Sequence, residues 1–162
     1  MSIMNYFRIL YHKLPEPPST NYIYREIKPN PYDYLPSKPI IFDIGSKGAR
    51  AEYAFGKPPK DANIVCVDIE DSPGVDLVGD AHDLHMVKDG SVDFVVSVSL
   101  LEHVKYPRKV IKEMYRILKP GGIIYINVPF VFPFHADPND FYRFTFKGID
   151  VLCEDFHKLD SG

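Results

Sequence analysis

The sequence contains Pro39-Ile40-Ile41-Phe42-Asp43-Ile44-Gly45-Ser46-Lys47-Gly48-Ala49, an apolar run that leads into a turn with two glycines. An apolar run of this length that ends at a glycine is typical of a strand buried on both faces. Gly45 and Gly48 permit a tight turn and a close approach of other groups to the backbone. A short helix predicted from Gly48 to about Phe55 would present free N–H groups to an anion. The segment therefore predicts a ligand site, although a plain tight turn explains the glycines equally well.

Four more strands and two more helices are predicted after this segment. The apolar runs are residues 63–68, 74–78, 92–98 and 123–128. Helical spacing of apolar side chains predicts a helix over 106–118, and another is predicted from Lys147 to about Glu154. Strands that alternate with helices predict an α/β fold with a Rossmann-like parallel sheet flanked by helices. Ligands bind such sheets at the carboxyl ends of the strands.

Polar residues stand at several of these strand ends. Asp68 follows the second strand, 23 residues after Gly45, where an acid can accept hydrogen bonds from both hydroxyls of a ribose. Asp80 follows the third strand, where a carboxylate could accept a hydrogen bond from an adenine amino group. Alternatively, Asp80 caps a short helix that follows. His103 follows the fourth strand and titrates near neutral pH, which suits a base, although a lone histidine is more often structural.

A series of motifs resembles the class I S-adenosylmethionine (SAM)-dependent methyltransferases of the type 11 group. The resemblance covers roughly residues 39–156. Its motifs are Asp43-x-Gly45-x-x-Gly48, Val67-Asp68, Gly79-Asp80-Ala81-x-Asp83-Leu84, Asp89-Gly90-Ser91-Val92-Asp93-Phe94-Val95-Val96, Leu101-Glu102-His103-Val104 and Arg116-Ile117-Leu118-Lys119-Pro120-Gly121-Gly122. The last motif, at the end of a helix and before a strand, is the most specific.

The resemblance implies SAM as the cofactor and assigns it residues. Asp43 and Gly45 would face its methionine part, and Asp68 would bind its ribose. Gly48 is a further cofactor-binding residue. Asp80 and Ala81 would flank the adenine, and Ser97 would lie under the sulfonium.

The segment after the fifth strand, where the acceptor should enter, resembles a loop of one branch of this group. It contains His135-Ala136-Asp137-Pro138-Asn139-Asp140-Phe141-Tyr142-Arg143. The candidate bases are His135 and His103, with Asp137 behind them, and the candidate acceptor-binding residues are Asp140, Tyr142 and Arg143. A structural ion pair between Asp140 and Arg143 that holds the loop is an equally good interpretation.

The chain departs from the group in two ways. Lys47 stands where the group has its middle glycine, and its side chain must point away from the cofactor or bind the methionine carboxylate. The last two strands of the group's sheet are missing, which predicts an exposed edge. The N-terminal arm, a second copy of the chain or a partner would cover that edge. The predicted domains are a Pro- and Tyr-rich arm or lid, residues 1–38, with a helix over Ile3–Lys13, and a C-terminally short SAM-binding domain, residues 39–162.

Composition excludes several other functions. The net charge is −3 and no basic stripe is present, so a nucleic-acid partner is not expected. No run of eighteen apolar residues predicts a membrane span. Two distant cysteines and the lack of a signal peptide favour the cytoplasm. The histidines form no motif with a usual ligand set, so no metal site is expected.

The predicted function is methyl transfer from SAM to a small-molecule acceptor by in-line displacement, with saccharides and lipid-linked compounds as the acceptor classes to expect. The alternative is a degenerate methyltransferase-like binding module or subunit without catalysis, which Lys47 and the missing strands favour. A nicotinamide-binding protein is disfavoured because Gly45-x-x-Gly48 lacks the G-x-G-x-x-G spacing.

Overall fold

A parallel sheet of five strands forms the centre of the computed structural model, which describes residues 30–48 and 55–159. The strand order is β3-β2-β1-β4-β5, and every pairing is parallel. This arrangement confirms the predicted Rossmann-like fold. The strands are β1 (Ile40–Ile44), β2 (Asn63–Asp68), β3 (Leu77–Val78), β4 (Val92–Val98) and β5 (Leu118–Asn127).

Two α-helices are described, α1 (Pro107–Ile117) and α2 (Phe146–Leu152). Pro107 suits the first turn of α1 because its missing N–H would have no partner there. Thr145 caps α2, and its hydroxyl accepts a hydrogen bond from the Gly148 N–H at 3.0 Å. The helices predicted over 106–118 and from Lys147 are therefore confirmed, the second ending two residues early. Neither has the length and apolar composition that a membrane crossing requires.

The sheet buries apolar side chains on both faces. On one face, strand residues such as Phe42, Ile44 and Val95 pack with the buried side of α1. On the other face, Ile41, Phe94 and Val96 are covered by Tyr32, Leu35 and Phe55. Tyr32 follows Pro31 in a short 3₁₀ helix, Pro31–Tyr34, and its ring centroid lies 6.1 Å from that of Phe94. The described end of the predicted arm thus packs on the sheet.

Strand β3 is shorter than the strand predicted over 74–78. The Asp76 carboxylate accepts a hydrogen bond from the Cys66 N–H at 2.9 Å, so a side chain takes the place of a ladder partner. Regular pairing therefore begins only at Leu77.

Strand β5 begins at Leu118, five residues before the predicted start at Ile123. Leu118 pairs with Val92, and the register shifts between Val92 and Phe94. A bulge of this kind accommodates the Pro120-Gly121-Gly122 segment within the strand. No strand of the described residues lies beyond β5, which therefore forms an edge. The Ile3–Lys13 helix and most of the helix predicted from Gly48 lie outside the described residues.

Candidate active site

Three buried polar residues predicted for the cofactor site lie near the carboxyl ends of neighbouring strands. Asp43 of β1 is paired with Val96, next to Ser97 in β4, and Asp68 is the last residue of β2. The Gly79 N–H donates to the Asp68 carbonyl at 2.8 Å, which brings the segment that contains Asp80 to the same edge. The fold thus brings the predicted cofactor residues to one edge of the sheet.

The turn after β1 requires both of its glycines. Gly45 and Gly48 have φ angles of +81° and +78°, in the left-handed region that favours glycine. A Cβ atom on Gly45 would lie 2.7 Å from a methyl carbon of Leu100, and one on Gly48 would collide with the Pro73 carbonyl oxygen. Gly48 is therefore needed for close packing against a neighbouring loop. Lys47, between them, also has a left-handed φ of 47°, which explains why a glycine suits this position.

Asp68 ties the turn to the end of β2. Its Oδ2 atom accepts from the Lys47 N–H at 2.9 Å, and its Oδ1 atom accepts from the Glu70 N–H at 3.1 Å. Each carboxylate oxygen has a second lone pair that can accept from a ribose hydroxyl. Asp68 therefore shapes the turn in addition to its predicted role at the ribose.

Asp80 and Ala81 begin a turn after β3. The Asp80 carboxylate accepts from the His82 N–H at 2.9 Å and lies 2.6 Å from Nδ1 of the same histidine. No helix is described over 81–106, so Asp80 closes a local turn and caps no helix. Ala81 is buried in the main core.

Two serine hydroxyls at the same edge fit a bound polar ligand. Ser46 Oγ and Ser97 Oγ are buried and have no hydrogen-bond partner among the described residues. Buried polar atoms are normally hydrogen-bonded, so an unsatisfied pair beside the glycine turn suits a ligand such as SAM.

Glu102 is a site residue that the sequence analysis quoted in a motif but gave no role. Its side chain is fully buried, and neither carboxylate oxygen has a hydrogen-bond partner among the described residues. Loss of hydration on burial raises its pKa. Its backbone carbonyl accepts from the Phe141 N–H at 2.7 Å, which docks the loop after β5 against the turn after β4. The sequence signal that could have indicated this residue is its position between the apolar Leu101 and His103.

Both predicted bases face this carboxylate. His103 Nε2 lies 3.7 Å and His135 Nε2 lies 3.9 Å from Glu102 Oε1. The two imidazole centroids are 4.8 Å apart. The structure thus brings His103 and His135 together although 32 positions separate them in the sequence.

The predicted acceptor-binding residues make their hydrogen bonds within the protein. Arg143 Nη2 donates to Asp140 Oδ2 at 2.7 Å and to the Pro133 carbonyl at 2.9 Å. The same Asp140 oxygen accepts from the His135 N–H at 2.9 Å, and the Tyr142 hydroxyl donates to the Lys105 carbonyl at 2.9 Å. The hydrogen bonds from Arg143 hold the pKa of Asp140 well below its usual range. This geometry matches the interpretation in which the ion pair between Asp140 and Arg143 holds the loop.

An ion pair joins the cofactor side to the acceptor loop. Lys47 Nζ lies 2.7 Å from Asp137 Oδ1 and 3.6 Å from Glu70 Oε2. The hydrogen bond from Lys47 lowers the pKa of Asp137. The Lys47 side chain thus points away from the turn, one of the two orientations that the sequence predicts. No local pattern indicates its partner Asp137, which lies 90 residues further along the chain.

The strand order, with a glycine turn after β1 and an acid after β2, is that of a Rossmann-like fold and fits a class I methyltransferase. A SAM-dependent methyltransferase from Methanosarcina mazei superposes with a TM-score of 0.58 at 21% identity, over 81% of this chain and 84% of that one. Another from Archaeoglobus fulgidus gives a TM-score of 0.56 at 19% identity, over 76% of this chain and 62% of that one. These likenesses show the fold.

A family profile described as a methyltransferase domain, the type 11 group, matches residues 42–126. This is more than half of the chain, and the chain belongs to that family. The human thiol S-methyltransferase TMT1B is 41% identical over 49 residues, which are 30% of this chain and 20% of the relative. The rat protein of the same name is 39% identical over 49 residues, with the same shares. The match thus spans a fifth of the length of these relatives.

Proposed function

We propose that this chain transfers the methyl group of SAM to a small-molecule acceptor. The observation that carries the proposal is the position of Glu102, His103 and His135. This cluster lies just beyond the carboxyl end of β4, the strand that contributes Ser97 to the proposed donor site. A methyl donor and a group that activates the acceptor would therefore be neighbours at one sheet edge.

For the donor, we propose that SAM lies along the turn after β1. Asp43, Gly45 and Gly48 would hold its methionine part, and Asp68 would accept from the ribose. Asp80 and Ala81 would flank the adenine, and Ser97 would lie under the sulfonium. The φ angles of the glycines and the two unsatisfied serine hydroxyls support this assignment.

For the acceptor, we propose that His135 or His103 takes its proton. The acceptor atom then bonds to the methyl carbon while the bond from that carbon to sulfur breaks, and the electron pair stays on sulfur. Alignment of the three atoms can contribute up to about 7–11 kcal/mol. Asp137 would support the histidines as the residue behind them. Asp140, Tyr142 and Arg143 would position His135 and the acceptor.

Of the two acceptor classes expected from the sequence, we propose the lipid-linked one. Half or more of the surface of Phe130, Val131, Phe132 and Phe134 is exposed. Phe132 lies against His135, with ring centroids 4.7 Å apart. Exposed apolar patches of this kind often mark binding sites, and an acyl or prenyl chain would bury them. The curated relatives are thiol S-methyltransferases, so both a thiol and a hydroxyl should be tried as the nucleophile.

We also propose that a second copy or a partner chain covers the edge of β5. Exposed strand edges tend to pair with other strands. A chain of the complex between the Trm112 methyltransferase activator of Haloferax volcanii and a methyltransferase has a TM-score of 0.55 at 22% identity, over 77% of this chain and 64% of that one. That complex is a precedent for a partner on this fold.

A turnover assay tests the function. S-adenosylhomocysteine release would be measured with alkyl thiols and lipid-linked sugars of increasing chain length. We expect rates to rise with chain length and His135→Ala to lower kcat about 100-fold or more. His85→Ala, which removes an exposed histidine elsewhere, is the control and should leave the rate unchanged. SAM binding without turnover of any acceptor would favour the non-catalytic alternative.

A further inference from the structure

The Glu102 carboxylate is buried without a close hydrogen-bond partner among the described residues. Its side chain is fully buried and both oxygens lack a hydrogen-bond partner there. A buried carboxylate is strongly unfavourable in its ionised form unless it is paired with a cation or coordinates a metal ion, and otherwise it takes up a proton. The nearest basic groups are the two imidazoles at 3.7 and 3.9 Å, beyond hydrogen-bond distance.

The hydrogen bonds of the imidazoles define which nitrogen carries hydrogen. His103 Nδ1 lies 2.5 Å from the Asn139 carbonyl oxygen, and His135 Nδ1 lies 3.0 Å from the Pro133 carbonyl oxygen. A carbonyl only accepts, so each Nδ1 is a donor. Arg143 Nη2 is 3.3 Å from His135 Nδ1, but it already donates to Pro133 and Asp140. An imidazole that carries a single hydrogen on Nδ1 keeps a lone pair on Nε2, the atom that lies 3.7 Å (His103) or 3.9 Å (His135) from Glu102 Oε1.

Two imidazole nitrogens and a carboxylate oxygen thus lie close together, as the ligands of one ion would. The three ligand atoms all lie within 4.8 Å of one another. Lone pairs that face each other repel unless a cation lies between them. Histidines that donate Nδ1–H to a backbone carbonyl and offer Nε2 are the usual arrangement at metal sites, and two imidazoles with one carboxylate suit Zn²⁺ and other divalent transition metals.

We propose that Glu102, His103 and His135 bind a divalent transition-metal ion, with Zn²⁺ as the first candidate. Bonds of about 2.1 Å require the ligand atoms to draw closer than they are here. The two histidines lie in a turn and a loop, outside the helices and strands, so they can make this movement. The histidines form no motif with a usual ligand set in the sequence, because these ligands come from two segments 32 residues apart.

The consequence for catalysis rests on the proposed function. An ion with three protein ligands keeps a position open for the acceptor oxygen or sulfur and lowers the pKa of that atom. The acceptor proton would then pass to solvent water, and the acceptor atom would attack the methyl carbon as described above. The histidines would serve as ligands in the metal-bound protein, and as proton acceptors only without the metal.

Metal titration of the full chain tests the site without SAM or an acceptor. After chelation, dialysis and removal of any affinity tag, Zn²⁺ would be titrated by calorimetry and Co²⁺ by its visible absorption. We expect one ion per chain, with affinity lowered at least tenfold by Glu102→Gln and by His135→Ala. His85→Ala removes the exposed histidine of the His85–Asp83 pair and should change nothing. No saturable binding, or binding that these two site variants leave unchanged, would overturn the proposal.

A measurement on the unaltered chain covers the case in which a variant fails to fold. Long-range proton–nitrogen NMR spectra should show Zn²⁺ shifting Nε2 of His103 and His135. If imidazolium signals for these residues persist with excess Zn²⁺, Nε2 stays protonated and cannot bind the ion. This result would overturn the metal site. Turnover by the metal-free chain would overturn only the catalytic role of the ion. Metal binding without SAM binding would instead contradict the proposed function.

Discussion

At the scale of single residues, Lys47 has the most unusual environment near the proposed donor site. It adopts a left-handed φ and bonds to Asp137, whose pKa is lowered by that contact. We expect Lys47→Met to return the pKa of Asp137 towards the ordinary aspartate range. Carbon NMR titration of the side-chain carboxyls measures this directly, with Lys38→Met as the control. An unchanged Asp137 titration would show that the ion pair does not form in solution.

Asp140 gives a pH-dependent prediction. Its pKa is lowered in the folded chain from the ordinary 3.8 because Arg143 hydrogen-bonds to its ionised form. The pair therefore stabilises the fold fully above the unfolded-state pKa. That stabilisation begins to decline below this pH and is lost as the pH falls through the lower folded-state pKa. Asp140→Asn should lower the unfolding temperature at pH 7. The difference in unfolding temperature between this variant and the wild type should shrink as the pH approaches 3.

Thermal unfolding between pH 3 and pH 7 tests this. Asp61→Asn, which alters an exposed aspartate of another loop, should show no such convergence. If the difference in unfolding temperature between the wild type and Asp140→Asn stays constant with pH, the ion pair between Asp140 and Arg143 does not stabilise the fold.

Residue roles were predictable from the sequence only in part. Asp43, Asp68 and Ser97 could be placed because each follows a strand, and parallel strands bring their carboxyl ends to one edge. Glu102 was missed because its burial depends on the loop that packs over it from residues 129–145. The Lys47–Asp137 contact was missed because it joins two turns by tertiary structure alone.

At the scale of elements, the start of β5 shows tertiary contacts overriding local turn chemistry. Pro120-Gly121-Gly122 predicts an interruption between helix and strand, yet β5 runs through it. Lys119 Nζ lies 2.8 Å from Asp93 Oδ1, and the other oxygen of Asp93 accepts from the Ile40 N–H. Asp93 thus joins β4 to the starts of β1 and β5, which the sequence alone does not indicate.

Removal of this contact should cost stability. Lys119→Met leaves the buried Asp93 without its cation, and we expect the free energy of unfolding to fall by about 1–2 kcal/mol. Lys112→Met on the exposed side of α1 is the control, and urea denaturation is the measurement. Equal midpoints for both variants would mean that Lys119 does not hold the start of β5.

At the scale of the whole molecule, the two sheet faces are covered differently. Among the described residues, both α-helices pack on one face, and Tyr32, Leu35 and Phe55 cover the other. The sequence predicted the sheet because β1, β2 and β4 are continuous apolar runs. It left open whether the arm packs, because its prolines suit an ordered segment and a loose one equally.

Tyr32→Ala tests whether the arm belongs to the folded unit. The ring of Tyr32 contacts those of Phe55 and Phe94, so we expect a loss of about 2 kcal/mol in unfolding free energy. Tyr34→Ala, which removes a more exposed ring of the same 3₁₀ helix, should cost much less. Similar small effects of both substitutions would place the arm outside the cooperative fold.

Calorimetric titration of the chain with SAM and, separately, with NAD shows whether this sheet edge binds a methyl donor. We predict saturable binding of SAM alone, weakened at least tenfold by Asp68→Ala and less by Asp68→Asn, which keeps an acceptor oxygen for the turn. Asp71→Ala, in the neighbouring exposed loop, should bind SAM like the wild type. NAD binding, or SAM binding that is indifferent to Asp68, would contradict the account.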